Sequence, residues 1–289
     1  MVRWRQGPTS GNVEDRRGTR ISGRAAGGAG GILLLLILIG AAIMGVDPGQ
    51  VLGGGGVPSG PIGQPSSLSA EEEQQLADFT AQVLGDTDAT WTRVFAEDLG
   101  RTYTPPTLVL YTGYVESACG QADAAVGPFY CPSDRKIYVD LEFFHDLHAR
   151  YGAPGDFAQA YVIAHEVGHH VQTLLGTTQY VSAAQQRAAS EIEANRLSVA
   201  LELQADCYAG LWANRSSARN LVLEPGDVEE GLNAASAVGD DRLQQQSQGY
   251  IVPDAFTHGS SAQRVRSFRG GLDTGRLGAC DIAGLPAVG

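Results

Sequence analysis

The stretch Ala164-His-Glu-Val-Gly-His-His-Val-Gln172 decides how the chain is read. It places two histidines four residues apart, with a glutamate beside the first. On a helix, residues four apart differ by about 40° around the axis and lie one turn from each other. His165 and His169 then project side by side, and two imidazoles so placed can grip one zinc ion. Glu166 lies about 100° from His165 and about 60° from His169 around the axis. From there it can act as general base on a zinc-bound water without being a ligand. His170 points about 140° away from His165, so it reads as a packing or surface residue.

The flanks support a buried helix. Tyr161-Val-Ile-Ala164 carries no charge. Asp156 is the expected cap and Gly176 the expected stop, which predicts a helix over 156–175. Gly168 inside that helix costs about 1 kcal/mol relative to Ala. Its presence predicts close approach of another element.

A catalytic zinc site needs a third protein ligand and one open position. A long apolar helix, expected over 183–214, offers Glu202-Leu-Gln-Ala-Asp206. Glu202 and Asp206 share a face of it. The pattern suits Glu202 as zinc ligand and Asp206 as acceptor of a hydrogen bond from a ligand histidine, which would fix that ring's tautomer. Both acids sit among Leu197, Val199, Leu201, Leu203, Tyr208, Leu211 and Trp212. A carboxylate buried there needs a partner, and zinc is a good one. Cys207 points about 140° from Glu202 and is not expected to be a ligand.

Helices are expected to dominate the rest. Ser69 and Glu72 form a capping box that opens a helix to about Leu84, and a second is expected to carry Trp91, Val94, Phe95 and Leu99. Pro105-Pro106 ends it. Thr107-Leu-Val-Leu-Tyr111 and Lys136-Ile-Tyr-Val-Asp140 read as strands. Pro225 suits the first turn of a helix running to about Gln246. Ser260 or Ser261 caps a last short helix, stopped by Gly270-Gly271. The expected fold class is α+β: a mostly helical catalytic domain with a small β-sheet, following an N-terminal transmembrane helix.

That transmembrane expectation comes from residues 31–46, an apolar run without any charge. Arg3, Arg5, Arg16, Arg17, Arg20 and Arg24 precede it, against Glu14 and Asp15 alone. Basic flanks stay on the cytoplasmic side. The sequence thus divides into a basic cytoplasmic tail over 1–30, a single-pass signal anchor over 31–46, a Gly/Pro/Ser linker over 47–68, and a domain over 69–289 outside the cell membrane. The net charge of the whole chain is −12. With the basic residues of the tail set aside, the domain is more acidic still, and no basic stripe marks it for nucleic acid. Four cysteines, Cys119, Cys131, Cys207 and Cys280, suit two disulfides in an exported domain, and three pairings are open.

Four stretches together resemble the bacterial neutral zinc metallopeptidase family: Ala164–Gln172, Glu202-Leu-Gln-Ala-Asp-Cys-Tyr-Ala-Gly210, Gly127-Pro-Phe-Tyr-Cys-Pro132 and His258-Gly-Ser-Ser-Ala-Gln-Arg264. The resemblance runs from about residue 75 to 285. It implies a zincin-like fold with a glutamate as third zinc ligand. The matching positions are His165, Glu166, His169, Glu202 and Asp206, all unaltered. It implies no particular substrate.

The expected activity is hydrolysis of peptide bonds in a peptide or protein substrate, with one Zn2+ per chain. A deformylase-like zinc amidohydrolase is the first alternative, but that type uses a cysteine ligand. A zinc-stabilised surface binding module is the second, and it would not need Glu166. Gly127–Tyr130 is a candidate for aligning substrate by strand addition. The expected disulfides are Cys119–Cys131, closing a loop beside that segment, and Cys207–Cys280, tying the C-terminal tail to the Glu202 helix. His258 is the candidate second donor to the charge that builds on the carbonyl oxygen. It stands in a Gly-Ser turn before a helix, whereas His145 and His148 fall among Phe143, Phe144 and Leu147 on an expected core-packed helix.

Overall fold

The computed structural model describes residues 3–4, 9–18, 68–123, 126–219 and 221–287. The apolar run 31–46 and all of the linker but Leu68 lie outside them. No helix among the described residues is long and apolar enough to cross a membrane. The class is mixed α+β, mostly helical, with a small central sheet.

The elements in chain order are β1 Arg3–Trp4, β2 Val13–Asp15, α1 Ala70–Glu97, β3 Thr107–Tyr111, β4 Tyr114–Ser117, β5 Gly120–Asp123, β6 Phe129–Cys131 and β7 Lys136–Asp140. They continue with α2 Glu142–Ala149, α3 Asp156–Leu175, α4 Thr177–Gln185, α5 Glu191–Ser217, β8 Leu221–Val222, α6 Asp227–Ala237, α7 Asp240–Gln248 and α8 Ser261–Thr274. The central sheet has the order β2-β3-β7-β6. β2, β3 and β7 are parallel, and β6 runs antiparallel at the edge. β4 and β5 form a hairpin, and β1 pairs with β8.

The main core lies between the sheet and α1, α3, α5, α6 and α8. Trp91, Phe95, Phe157, Tyr161, Tyr208, Trp212 and Phe268 are fully buried there. The helix α3 is buried nearly all round, which suits a helix packed between layers.

Several expected boundaries move, each for a tertiary reason. The first two expected helices are one, α1, because the polar stretch Gly85-Asp86-Thr87 is buried against partners rather than turned to water. Asp86 accepts from Trp212 Nε1 at 2.8 Å and from Ser216, and Thr87 returns its hydroxyl to Leu84 O. Asp156 does not cap α3 but begins it. Gly155 is the cap residue at φ 114°, and Glu230 of α6 accepts the Phe157 N–H at 3.1 Å. The long helix starts at Glu191 under a Ser190 cap, and Thr177–Gln185 is separate. The helix expected from Pro225 begins at Asp227 and splits at Gly239, where a Cβ would stand 2.4 Å from Ser261 N. Ser260 caps α8 through a capping box with Gln263.

Gly270-Gly271 does not stop α8. Gly271 lies where α8 crosses α5: a Cβ on it would meet Cys207 O at 1.9 Å. Gly210 makes the reciprocal approach, its Cβ position lying 2.0 Å from Phe268 O. Bare backbones therefore touch at this crossing, and the disulfide Cys207–Cys280 closes beside it. Cys119–Cys131 joins the β4–β5 region to β6. Both pairings are the expected ones.

The N-terminal tail is not set apart from the domain. Val13–Asp15 pairs in register with Leu108–Leu110 and so belongs to the central sheet. A strand of three residues with two acids carries almost no periodic signal, which is why the sequence does not announce it.

Candidate metal centre

The helix α3 carries His165, Glu166 and His169, and α5 carries Glu202 and Asp206. What lets the two helices meet is Gly168. A Cβ there would come 3.0 Å from Ala205 O and 3.1 Å from Ala205 Cα, which is the close approach its cost implied. With the backbones this near, the ligand-type side chains of both helices share one space.

His165 Nε2 lies 3.2 Å from Glu202 Oε2, and His169 Nε2 lies 3.4 Å from Glu202 Oε1. One ligand atom from each of the three side chains falls within 4.8 Å of the others. A tetrahedral zinc with ligands at roughly 2.0–2.1 Å places those ligand atoms about 3.4 Å apart. The donor set therefore fits zinc in spacing as well as in chemistry, with two neutral imidazoles and one carboxylate.

The far side of each ring is held too. His165 Nδ1 is 2.9 Å from Asp206 Oδ1, and His169 Nδ1 is 2.9 Å from Gln172 Oε1. Both partners are acceptors, so each ring can hold a proton on Nδ1 and give its Nε2 to a metal ion. Gln172 is itself anchored by its amide, which donates to Leu201 O at 2.7 Å.

Asp206 is fully buried and needs a counter-charge. Arg264 of α8 supplies it through two parallel bonds, Nε to Oδ2 and Nη2 to Oδ1, both 2.8 Å. Such a fork fixes the carboxylate plane as well as its charge. Tyr161, one turn before His165, donates its hydroxyl to the same carboxylate. Arg264, Tyr161 and Gln172 were given no role from sequence. The available signals were helical spacing for Tyr161 and Gln172, and the Arg closing the His258–Arg264 stretch.

The electrostatics follow. Burial works against charge on His165, but Asp206 and Glu202 outweigh it and lift its pKa to about 10 in the metal-free protein. Burial resists ionisation of Glu202 and Asp206 as well. The facing histidines still hold Glu202 well below the usual carboxylate range, and Arg264 holds Asp206 below it. Glu166 is pushed up by burial, with His169 and His165 limiting the rise.

His258 lies near enough to Glu202 for the two to act on each other electrostatically. Burial disfavours its charge, but its bond to Asp240 outweighs this, and Glu202 is near enough to raise its pKa further. Asp240 Oδ2 accepts the backbone N–H groups of Thr257, His258 and Gly259 at 2.7, 2.7 and 3.0 Å, and Oδ1 lies 3.2 Å from His258 Nδ1. One carboxylate thus builds the turn and orients the ring. Asp240, like Arg264, was not singled out from sequence. His170 faces away: its ring atoms contact Thr104 O at 2.7 Å and Tyr130 Oη at 3.1 Å, and burial lowers its pKa to about 4. It is a packing residue. His145 and His148 sit on the exposed face of α2, while Phe144 and Leu147 turn inward.

The family model described as "Putative neutral zinc metallopeptidase" matches residues 2–283. The chain is 47% identical over 292 residues to the uncharacterized protein YpfJ of Escherichia coli, covering 98% of this chain and 99% of that one. It is 44% identical over 197 residues to uncharacterized proteins of Mycobacterium tuberculosis and Mycobacterium bovis, covering 65% of the chain in each case. No solved structure is a significant match. With His165, His169 and Glu202 gathered at one point and a match along nearly its whole length, the chain belongs to the putative neutral zinc metallopeptidase family.

Proposed function

We propose that the chain is a zinc-dependent peptidase with a zincin-like arrangement, its ion held by His165, His169 and Glu202. The observation that carries this is the convergence of two Nε2 atoms on one carboxylate at 3.2 and 3.4 Å, with both Nδ1 atoms already taken. When bound there, zinc would polarise the scissile carbonyl and acidify a water.

The chain's own groups do the rest. Glu166 accepts the proton of the attacking water and passes it to the leaving amine. Burial raises its pKa, and His169 and His165 limit the rise. His258, held by Asp240, donates a hydrogen bond to the oxygen on which charge builds. Asp206 and Arg264 hold His165 in place. The edge strand β6 gives an extended peptide a backbone to pair with. The two disulfides support a working place outside the cytoplasm.

The test is Glu166→Gln in the full-length protein, with metal analysis and a peptide library run with and without chelator. The variant is expected to keep about one zinc per chain and to lose hydrolysis by at least ~100-fold. Full activity in the variant, or no zinc in the wild type, would sink the reading.

A further inference from the structure

The basic residues before the apolar run 31–46 suggest that the N-terminus and the zinc domain lie on opposite sides of a membrane. The packing of the same residues says otherwise. Val13, Glu14 and Asp15 pair in parallel with Leu108, Val109 and Leu110 of the central sheet. The Leu108 N–H donates to Asn12 O at 2.9 Å, and the Arg16 N–H donates to Leu110 O at 2.8 Å, so the ladder extends past the strand at both ends. Val13 packs against the main core.

The side chains tie the segment down as well. Glu14 meets Lys136 of β7 at 2.6 Å, two strands away. The Arg17 guanidinium donates to Glu73 O of α1 at 3.0 Å, and the Ser10 hydroxyl donates to Asp88 at 3.2 Å. Two of the arginines that read as a cytoplasmic signal are also neutralised locally. Arg16 pairs with Glu14, and Arg17 pairs with Asp15, each at 2.5 Å. Their charge is therefore not that of a free basic tail.

We infer that residues 9–17, with the strand β2 at their centre, are an integral part of the zinc domain and share its compartment. A single crossing by residues 31–46 would put β2 and β3 on opposite faces of a bilayer, and no backbone ladder can form through it. The chain leaving β2 at Asp15 must return to the same side before α1 starts at Ala70. This holds whether or not the domain is a peptidase.

The test uses the full-length protein, whose native cysteines are all disulfide-bonded. Gly11→Cys and Glu191→Cys each add one exposed thiol, the first beside β2 and the second at the start of α5. Spheroplasts of cells producing either variant are treated with a membrane-impermeant maleimide before and after lysis. The two thiols are expected to behave alike, both labelled before lysis or both only after it. Labelling of one and protection of the other overturns the inference, as does a mature chain that starts beyond residue 17. Val13→Asp supplies a second readout. It puts a charge on the core side of β2, so the melting temperature is expected to fall by at least ~3 °C. An unchanged melting temperature means that the strand is not docked.

Discussion

The crossing of α5 and α8 gives two adjacent glycines opposite expected responses to the same substitution. In Gly271→Ala the new methyl would stand 1.9 Å from Cys207 O and 2.6 Å from Leu211 N. A carbon–oxygen contact needs roughly 3.3 Å, so the helices must part by about 1.4 Å. The obstacle is backbone, so no rotamer change relieves it. Overpacking of this kind costs about 3 kcal/mol or more, against about 1 kcal/mol regained in helix propensity. The net loss is about 2–3 kcal/mol, or roughly 4–12 °C in melting temperature for a domain of this size. Gly270 is one residue earlier, with nothing within 4 Å of its Cβ position. Gly270→Ala keeps the propensity gain alone and should raise the melting temperature by about 1–4 °C. Thermal unfolding followed by circular dichroism compares the two. Peptide hydrolysis should fall in Gly271→Ala only, because moving α8 pulls Arg264 from Asp206. The same sign of shift in both variants would refute the packing argument.

Three further outcomes follow from single groups. His258→Ala is expected to lower kcat/KM at least about tenfold, or 1.4 kcal/mol of transition-state stabilisation, with zinc content unchanged; wild-type kinetics would remove His258 from the mechanism. Arg264→Met strips buried Asp206 of its guanidinium and leaves it only His165 and the Tyr161 hydroxyl, which should cost up to about 3–5 kcal/mol in urea unfolding and weaken zinc about 10–100-fold in competition with a chelator; a fully stable, zinc-tight variant would count against the Asp206 scaffold. Asp88 is raised by burial from 3.8 to about 7, the Ser10 and Tyr103 bonds opposing the rise. The folded state therefore holds this proton where the unfolded chain has released it. Its contribution to stability is complete below about pH 4 and is lost as pH rises to about 7. Asp88→Asn should flatten that slope and stabilise the protein most at pH 8, and an unchanged stability–pH curve would remove Asp88 as its cause.

Much of the metal centre was legible because helical spacing is local information. His165 and His169 share a face on any helix, and Glu202 and Asp206 share one on another. The sequence could even say that Gly168 had a reason to be there. It could not say which acids would be capped, paired or approached from a distance. The stretch after Leu84 read as the gap between two helices, and its Asp86 is a buried acceptor for Trp212. Asp156 looked like a cap, yet the cap function belongs to Glu230, far along the chain. Gly271 looked like a stop and is a contact point.

What the sequence determined by itself was the identity and local order of the candidate site residues: His165-Glu166-x-x-His169 on one helix, and Glu202-x-x-x-Asp206 on the other. A helix fixes the relative direction of residues three and four apart whatever surrounds it. The tertiary structure alone decided that the two helices meet at Gly168, that Arg264 clamps Asp206, that Asp240 shapes the His258 turn, and that Val13–Asp15 completes the sheet. Each of those is a pairing of buried charge or open backbone across tens of residues. Burial makes an unpaired group costly, and only the folded chain determines which partner arrives.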